Sequence, residues 1–578
     1  MTAPAENSLW GHKWGFADTY FKIGADRAVM MHGDRYALSG YAMPHLVPYI
    51  ESLFDIQLDP DDRLPEREAI NVPSVTPHPA FYDAIETAFP SNRYSFEDRD
   101  RLLHSHGQTT FEEVYKVLYR KLERVVDMVF FCASTEDAER MIELAIAHDV
   151  CLVPFGGGTS VSCALTLPPE ETRPIVSVDM KRMNRVEWID PKNLRARVQA
   201  GITGAQLEAA LRERGHTCSH EPDSLELSTL GGWIATNASG MKKNRYGNIE
   251  DIVENITLVT PSGRLEQVAA TSRVAMGMQL QPLLFGNEGN LGLVTEATIK
   301  IHPIPAQTQY NSLLFPHFDR GVECLYELAQ SNYIPASIRL VDNYQFRFGQ
   351  ALKPAATGLK AIADRLKKQY VLNLKKFDPT QMAAATVVME GSESEVRYQN
   401  DRIAALAKQY GALVTGAENG RRGYMLTYAI AYFRDFLASH HIIGETFETS
   451  APWSQIQPIC TAVQQVLDDK HQQFGLPGKP YLSYRISQIY HSSVCIYFMF
   501  GFYTKGVREP EVIGSKIEYD LRRAIIDNGG SISHHHGVGK IRRAFVPDTL
   551  SEASIDLLKQ IKRAVDPANI FGIRNTLY

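Results

Sequence analysis

Three consecutive histidines, His534-His535-His536, stand between Ser533 and Gly537-Val538-Gly539-Lys540. An imidazole titrates near pH 6.5 in water, so such a cluster can move protons at physiological pH. In extended chain His534 and His536 would share one face and His535 the other. Metal binding and plain packing are the competing uses. No second cluster of Cys, His or acidic residues offers a matched partner set, so no metal is expected. Tyr497 lies inside Val494-Cys495-Ile496-Tyr497-Phe498-Met499-Phe500, an almost wholly apolar strand. A phenol buried there needs a hydrogen-bond partner, and core packing competes with proton transfer as its role. Arg434, in Ala431-Tyr432-Phe433-Arg434-Asp435-Phe436, is a charge within an aromatic run. A guanidinium fork suits phosphate or carboxylate, and an ion pair with Asp435 or another acid is the alternative. Arg339 and Arg485 are further cations in apolar strands.

A second kind of chemistry is written in glycine. Pro154-Phe155-Gly156-Gly157-Gly158-Thr159-Ser160 follows the apolar run Cys151-Leu152-Val153. A strand running into three glycines turns where side chains would clash, and its N–H groups can wrap a diphosphate. An ordinary tight turn is the alternative. The spacing matches neither Gly-x-Gly-x-x-Gly nor a Walker loop. Three comparable segments follow within about 140 residues. They are Asp223-Ser224-Leu225-Glu226-Leu227-Ser228-Thr229-Leu230-Gly231-Gly232, Thr236-Asn237-Ala238-Ser239-Gly240, and Gly286-Asn287-Glu288-Gly289-Asn290-Leu291-Gly292-Leu293-Val294-Thr295. Each sets glycine and small polar residues beside an apolar stretch, as a large phosphate-bearing ligand requires.

Elements must hold these residues. At 578 residues there is room for about three domains. An apolar share of 44% and a charged share of 22% fit a globular chain, and the net charge of −6 gives no reason to expect nucleic acid. No apolar run is long enough for a transmembrane helix. Met1 to Leu9 lacks a secretory core, and Thr576-Leu577-Tyr578 is not the Ser-Lys-Leu type of peroxisomal address. Seven scattered cysteines suggest a reducing compartment and burial as small hydrophobes.

Four regions follow. Residues 1–122 read as helical and loop-rich. Residues 123–305 alternate strands with amphipathic helices, ending in the alternating strand Leu293 to Ile301. Residues 306–505 form a second α+β unit. Residues 506–578 carry the His triplet and end in a helix from Ser554 to Val565, returning to the second region. Within the third, residues 351–379 hold seven Lys/Arg against two Asp, with Leu359, Ile362 and Leu366 on an apolar side. A basic amphipathic helix can lie on an anionic membrane, and a solvated covering helix is the other reading.

The glycine segments resemble the FAD-binding domain of the vanillyl-alcohol oxidase (FAD-linked oxidase) family, in which P-x-G-G-G-T-S, S-T-x-G-G and G-x-E-G-x-L-G recur in this order. The likeness narrows to the alkyldihydroxyacetonephosphate synthases through Gly240-Met241-Lys242-Lys243-Asn244-Arg245-Tyr246-Gly247-Asn248-Ile249-Glu250-Asp251, Pro335-Ala336-Ser337-Ile338-Arg339-Leu340, Phe447-Glu448-Thr449-Ser450-Ala451-Pro452-Trp453 and Ser533 to Lys540. It runs from about Trp14 to Leu577. One departure is that Asn287 and Asn290 stand where that family has Ser and Thr.

The resemblance implies an α+β fold: a two-subdomain FAD-binding domain of vanillyl-alcohol oxidase type, an α+β substrate (cap) domain and a helical N-terminal region. It implies non-covalent FAD held by Pro154–Ser160, Asp223–Thr229, Thr236–Ser239 and Glu288–Val294. It implies exchange of the acyl chain of acyl-dihydroxyacetone phosphate for a long-chain fatty alcohol through a covalent flavin N5 adduct, with no net redox change. Tyr497 would move the proton, His534, His535 and His536 would assist, Arg434 would grip the anionic end, and Arg339 and Arg485 would support. A peroxisomal or glycosomal location, a homodimer, and membrane contact through 351–379 come with the family. A flavin-dependent 2-hydroxy-acid dehydrogenase and a non-catalytic membrane-surface flavoprotein are the competing readings.

Overall fold

The computed structural model describes residues 9–66, 72–269, 271, 273–355 and 358–578, with backbone alone for 359–361 and 363. Three sheets organise the chain. The first has strand order Tyr94–Ser95, Met128–Phe131, Ile175–Asp179, Cys151–Phe155. Its last three strands are parallel and almost wholly buried, which is why they read as unbroken apolar runs. The second is antiparallel: Gly263–Leu265, Val253–Thr260, Leu293–Lys300, Arg195–Gln199, Val186–Asp190. Helix Leu230–Thr236 packs against it. The Thr229 hydroxyl caps that helix by accepting the Gly232 N–H, and Asn237 in the left-handed region ends it.

The third sheet has seven strands, in the order Leu413–Val414, Gln307–Phe315, Ala383–Gly391, Ser337–Val341, Tyr481–Ile489, Ser493–Tyr503, Ile442–Pro452. Side chains alternate across it with period two. Phe498, Ile496, Ile338 and Ala385 face a large core beneath helices that include Glu393–Gln409 and Ile456–Gln473. Tyr497, Met499, Arg339 and Thr386 face a cavity instead. Helix Ala417–Ser439 crosses the cavity side.

Residues 9–66 pack on that helix, with Trp14, Phe16, Leu46, Ile50 and Phe54 in one core with Tyr432, Phe433 and Phe436. This region also holds a small sheet, Phe21–Ile23, Val29–Met31 and Ala42–Met43, where the sequence reading expected only helices and loops. Strands of two or three residues are too short for periodicity to register. The C-terminal segment closes on the first two sheets: Leu152 N–H donates to the Ile570 carbonyl, and Lys562 Nζ donates to the Asn290 and Phe571 carbonyls. All seven cysteines are buried and unpaired. No described helix is long and apolar enough to cross a membrane.

Candidate active site

The glycine segments and the third sheet enclose one cavity of about 2170 Å³. A single small-molecule site typically occupies about 300–1,000 Å³, so this volume fits a large cofactor together with a substrate. One wall is the loop Pro154–Ser160, joined by Asp223, Ser224, Ser228, Thr229, Thr236 and Ser239. Gly157 is required by close approach: a Cβ there would collide with the Leu227 carbonyl oxygen. Gly158 has φ +67°, the left-handed region.

Several residues expected to touch cofactor form the frame behind this wall. Leu227, Leu291 and Leu293 are core residues, and Leu225 packs against the second sheet's core. Asn237 is the helix C-cap, and the Glu226 carboxylate accepts the Tyr36 hydroxyl at 2.6 Å. Glu288 borders the cavity, but its carboxylate accepts the Val538 and Gly539 N–H groups and the Thr576 hydroxyl. It thereby straps the His loop to the wall. Asn287 donates to the Leu284 carbonyl and accepts the Gly289 N–H, while Asn290 donates to the Asn287 carbonyl and accepts the Asn575 N–H. The two asparagines that depart from the family pattern therefore brace their own turn. Sequence reasoning also missed Gln108 and Thr109. Gln108 N–H donates to the Gly158 carbonyl at 2.8 Å, and Thr109 lines the cavity. Nothing in their local sequence marks them.

The opposite floor comes from strand register. Tyr497 pairs with Arg485 on one neighbour and Glu448 on the other, so three chemically active side chains stand in a row. The Arg485 guanidinium lies 3.9 Å from the Tyr497 ring centroid. Tyr497 donates to Thr446 Oγ1 at 3.2 Å. Burial pushes its phenol up to about 12, with Arg485 pulling the other way, so it is protonated at neutral pH.

Residues 533–539 bend around Glu448, whose carboxylate accepts the N–H groups of His534, His535 and His536 and the Ser533 hydroxyl. Burial alone would raise this carboxyl; His536 and His535, whenever protonated, and the permanently charged Arg542 override it and hold it well below its usual range. The bend corrects the face assignment expected for an extended strand. His535 and His536 border the cavity, with ring centroids 6.1 and 5.3 Å from Tyr497. His534 lies behind them, with Nε2 2.7 Å from the Tyr490 hydroxyl and Nδ1 2.9 Å from His535 Nδ1. Burial lowers all three imidazoles, His534 to about 3, so they are neutral at pH 7.

The three arginines differ in how much of their hydrogen-bonding is already used. Arg434 pairs with Asp435 at 2.6 Å and donates to the Gln108 and Thr109 carbonyls. That leaves one of its five N–H groups uncommitted among the described residues. Arg339 and Arg485 instead face one shared carboxylate, Asp223, at 3.8 and 3.6 Å. Arg339 also donates to Thr427 Oγ1 at 2.6 Å, and Arg485 Nε is buried without a partner. Two cations against one half-exposed acid make an anion seat. Asp223, which also borders the wall expected to hold the cofactor, is the counter-ion of that seat. Polar atoms left without a hydrogen bond on residues that border the cavity, including Thr109 Oγ1 and Arg485 Nε, fit a polar ligand pressed against wall and floor.

A glycine-lined, phosphate-compatible wall on a two-sheet domain, closed by a capping sheet, is the arrangement of a dinucleotide-binding protein, and the family comparisons place it in the FAD-linked oxidase class. Residues 126–269 match the FAD binding domain family, and residues 304–574 match the C-terminal domain of FAD linked oxidases. A Caenorhabditis elegans alkyldihydroxyacetonephosphate synthase is 40% identical over 98% of this chain and 94% of its own length. The Dictyostelium discoideum enzyme of the same name is 29% identical over 88% and 82%. A solved alkyldihydroxyacetonephosphate synthase structure superposes with a TM-score of 0.85 at 26% identity, covering 98% of both chains. The chain belongs to the alkyldihydroxyacetonephosphate synthase family, and its cofactor is FAD.

Proposed function

We propose that this protein makes the ether bond of ether lipids, exchanging the acyl chain of acyl-dihydroxyacetone phosphate for a long-chain fatty alcohol and releasing the fatty acid. The observation that carries the reading is the floor itself: Tyr497, neutral His535 and His536, and the Arg339–Asp223–Arg485 anion seat, all on one cavity that also runs along apolar side chains such as Leu53, Phe346, Phe433 and Leu437. The apolar stretch suits an alkyl chain and the seat suits a phosphate.

Residues Pro154–Ser160, Ser224, Thr229 and Ser239 would hold the FAD. The chemistry a bound flavin supplies is reversible bonding of a ring nitrogen to carbon, which separates departure of the carboxylate from arrival of the alcohol. The rest falls to the chain. Arg339 and Arg485 bind the phosphate as Asp223 gives way, which fixes the reacting carbon near Tyr497. Tyr497, protonated and oriented by its hydrogen bond to Thr446, gives its proton to the departing carboxylate and is reprotonated by the proton that the incoming alcohol releases. The alcohol must lose its O–H proton as its oxygen bonds to carbon, and the neutral imidazole of His535 or His536 accepts it. The direct test is incubation with acyl-dihydroxyacetone phosphate and labelled hexadecanol. Labelled ether product with one equivalent of fatty acid and no net flavin reduction is expected. Flavin reduction by D-lactate or glycolate without alkyl exchange would replace this reading with a dehydrogenase.

The substrate's chain also suggests a membrane surface. Ile362, Leu366, Tyr370 and Leu374 recur every fourth residue and are all exposed, and Leu366, Lys367, Lys368 and Tyr370 border the cavity. Flotation with anionic vesicles should be lost in Leu366→Asp/Leu374→Asp; unchanged flotation would remove this segment as the contact.

A further inference from the structure

Cys495 lies two residues before Tyr497 on the same strand and so shares its face of the sheet, beneath the His loop. One ligand atom from each of Cys495, His534 and His535 falls within 4.8 Å of the others. The sequence offered no partner for the histidines because this cysteine is about forty residues away and inside an apolar run. The hydrogen-bond network fixes how His534 is presented. The Tyr490 hydroxyl donates to Gln488 Oε1 at 3.0 Å, which leaves its oxygen to accept His534 Nε2–H at 2.7 Å. The lone pair of His534 is therefore on Nδ1, the atom 2.9 Å from His535 Nδ1. Tetrahedral zinc with ordinary bond lengths sets two nitrogens about 3.3 Å apart and each about 3.6 Å from a thiolate. The two nitrogens reach that with a shift of a few tenths of an ångström, and the Cys495 sulfur, within 4.8 Å of a ring nitrogen of each histidine, closes the remainder by rotating about its Cα–Cβ bond. Tyr490 then acts as the outer partner that orients a ligating imidazole. Glu448, holding the backbone of all three histidines, supplies nearby negative charge.

We propose that Cys495, His534 and His535 form a binding site for a borderline divalent cation of the zinc class, and that its occupation inhibits the enzyme. Binding forms one Zn–S and two Zn–N bonds and releases the thiol proton of Cys495. His535 moves its own proton from Nδ1 to Nε2, so the balance is one proton released per zinc. The fourth position takes water. Zinc on Nδ1 leaves the proton on His535 Nε2, the nitrogen that is free to accept in the metal-free enzyme, and fixes the ring beside Tyr497, which removes a proton acceptor from the floor.

The inhibition rests on the function proposed above, whereas the binding does not. The FAD-loaded full chain, stripped with chelator, is dialysed against zinc chloride and assayed for metal content and by zinc K-edge absorption. One zinc per chain with one sulfur and two nitrogen ligands is expected. Cys495→Ala should lose that zinc, keep its exchange activity in metal-free buffer, and be at least about tenfold less sensitive to zinc. No stoichiometric zinc, a shell without sulfur, or equal binding by Cys495→Ala overturns the site. Stoichiometric zinc without inhibition of an active enzyme overturns the inhibitory role. If no exchange is detected in any sample, the absorption result still decides the site.

Discussion

The two sides of the cavity are built in opposite ways. The wall comes from four short segments between residues 154 and 295, each carrying its own glycines and hydroxyls. The floor comes from single side chains on four strands and a loop, spread from residue 339 to 536 and brought together by register. A wall of backbone N–H groups tolerates changes in most side chains but not an added atom at a glycine. A floor of single side chains tolerates little change in any of them. Substitutions on the two sides should therefore fail differently, in flavin retention on one side and in turnover on the other.

Tyr497→Phe is the sharpest break. It removes one hydroxyl and no packing, so flavin content should be unchanged while turnover falls by about 10²–10⁴. The visible spectrum and the hexadecanol assay read the two separately. Normal turnover would take Tyr497 off the floor, and lost flavin would mean that wall and floor are not separable.

Gly157→Ala is the matching break in the wall. The new methyl meets the Leu227 carbonyl, a backbone atom that cannot swing aside. Overpacking of this kind costs about 1–3 kcal/mol. The expected outcome is weakened FAD retention and a lower Tm, with residual activity proportional to bound flavin. Full flavin with reduced activity would contradict the division.

This division also sets what could be read in advance. The strand–glycine turns and the apolar alternation around them are local, and their positions agree with the structure to within a few residues. The face assignment of the histidines failed because residues 533–539 are not extended: their backbone is gathered by a carboxylate some 85 residues away. Glu448 sat in a recognised motif without a role, since its partners are N–H groups that sequence cannot place. The anion seat was half visible: Arg339 and Arg485 stood out as charges in apolar strands, but their sharing of Asp223 depends on the strand 481–489 lying next to 337–341.

The arginines sharpen the comparison further. Arg434 ties helix Ala417–Ser439 to the Gln108–Thr109 strap that covers the wall. Arg434→Ala should loosen the strap, lowering Tm and flavin affinity along with turnover. Arg485→Ala should leave flavin and Tm closer to normal and cost about 10–100-fold in kcat/KM, the worth of a charge-assisted hydrogen bond to substrate. Identical profiles for the two variants would erase the distinction between strap and seat.

The smallest effect is a pH dependence of stability with one contributor on each side. His220 packs at a tilt against Trp233 behind the wall, ring centroids 4.7 Å apart, with neither ring nitrogen partnered, and His534 stands behind the floor. Burial lowers each to about 3. The unfolded chain therefore binds more protons than the folded one between pH 6.5 and about 3. Stability is complete above pH 6.5 and falls with pH below it, at roughly 1 kcal/mol per unit for each histidine. Glu448 adds loss in the same direction below its ordinary range, because its carboxyl is held low only in the fold. Replacing His220 by Phe keeps an aromatic ring against Trp233 and removes one titration. Thermal unfolding of His220→Phe between pH 7 and 5 should show a shallower decline than the parent and unchanged turnover at pH 7. An equally steep decline would mean that the wall contributes nothing to the acid sensitivity and that His534 and its neighbours carry it alone.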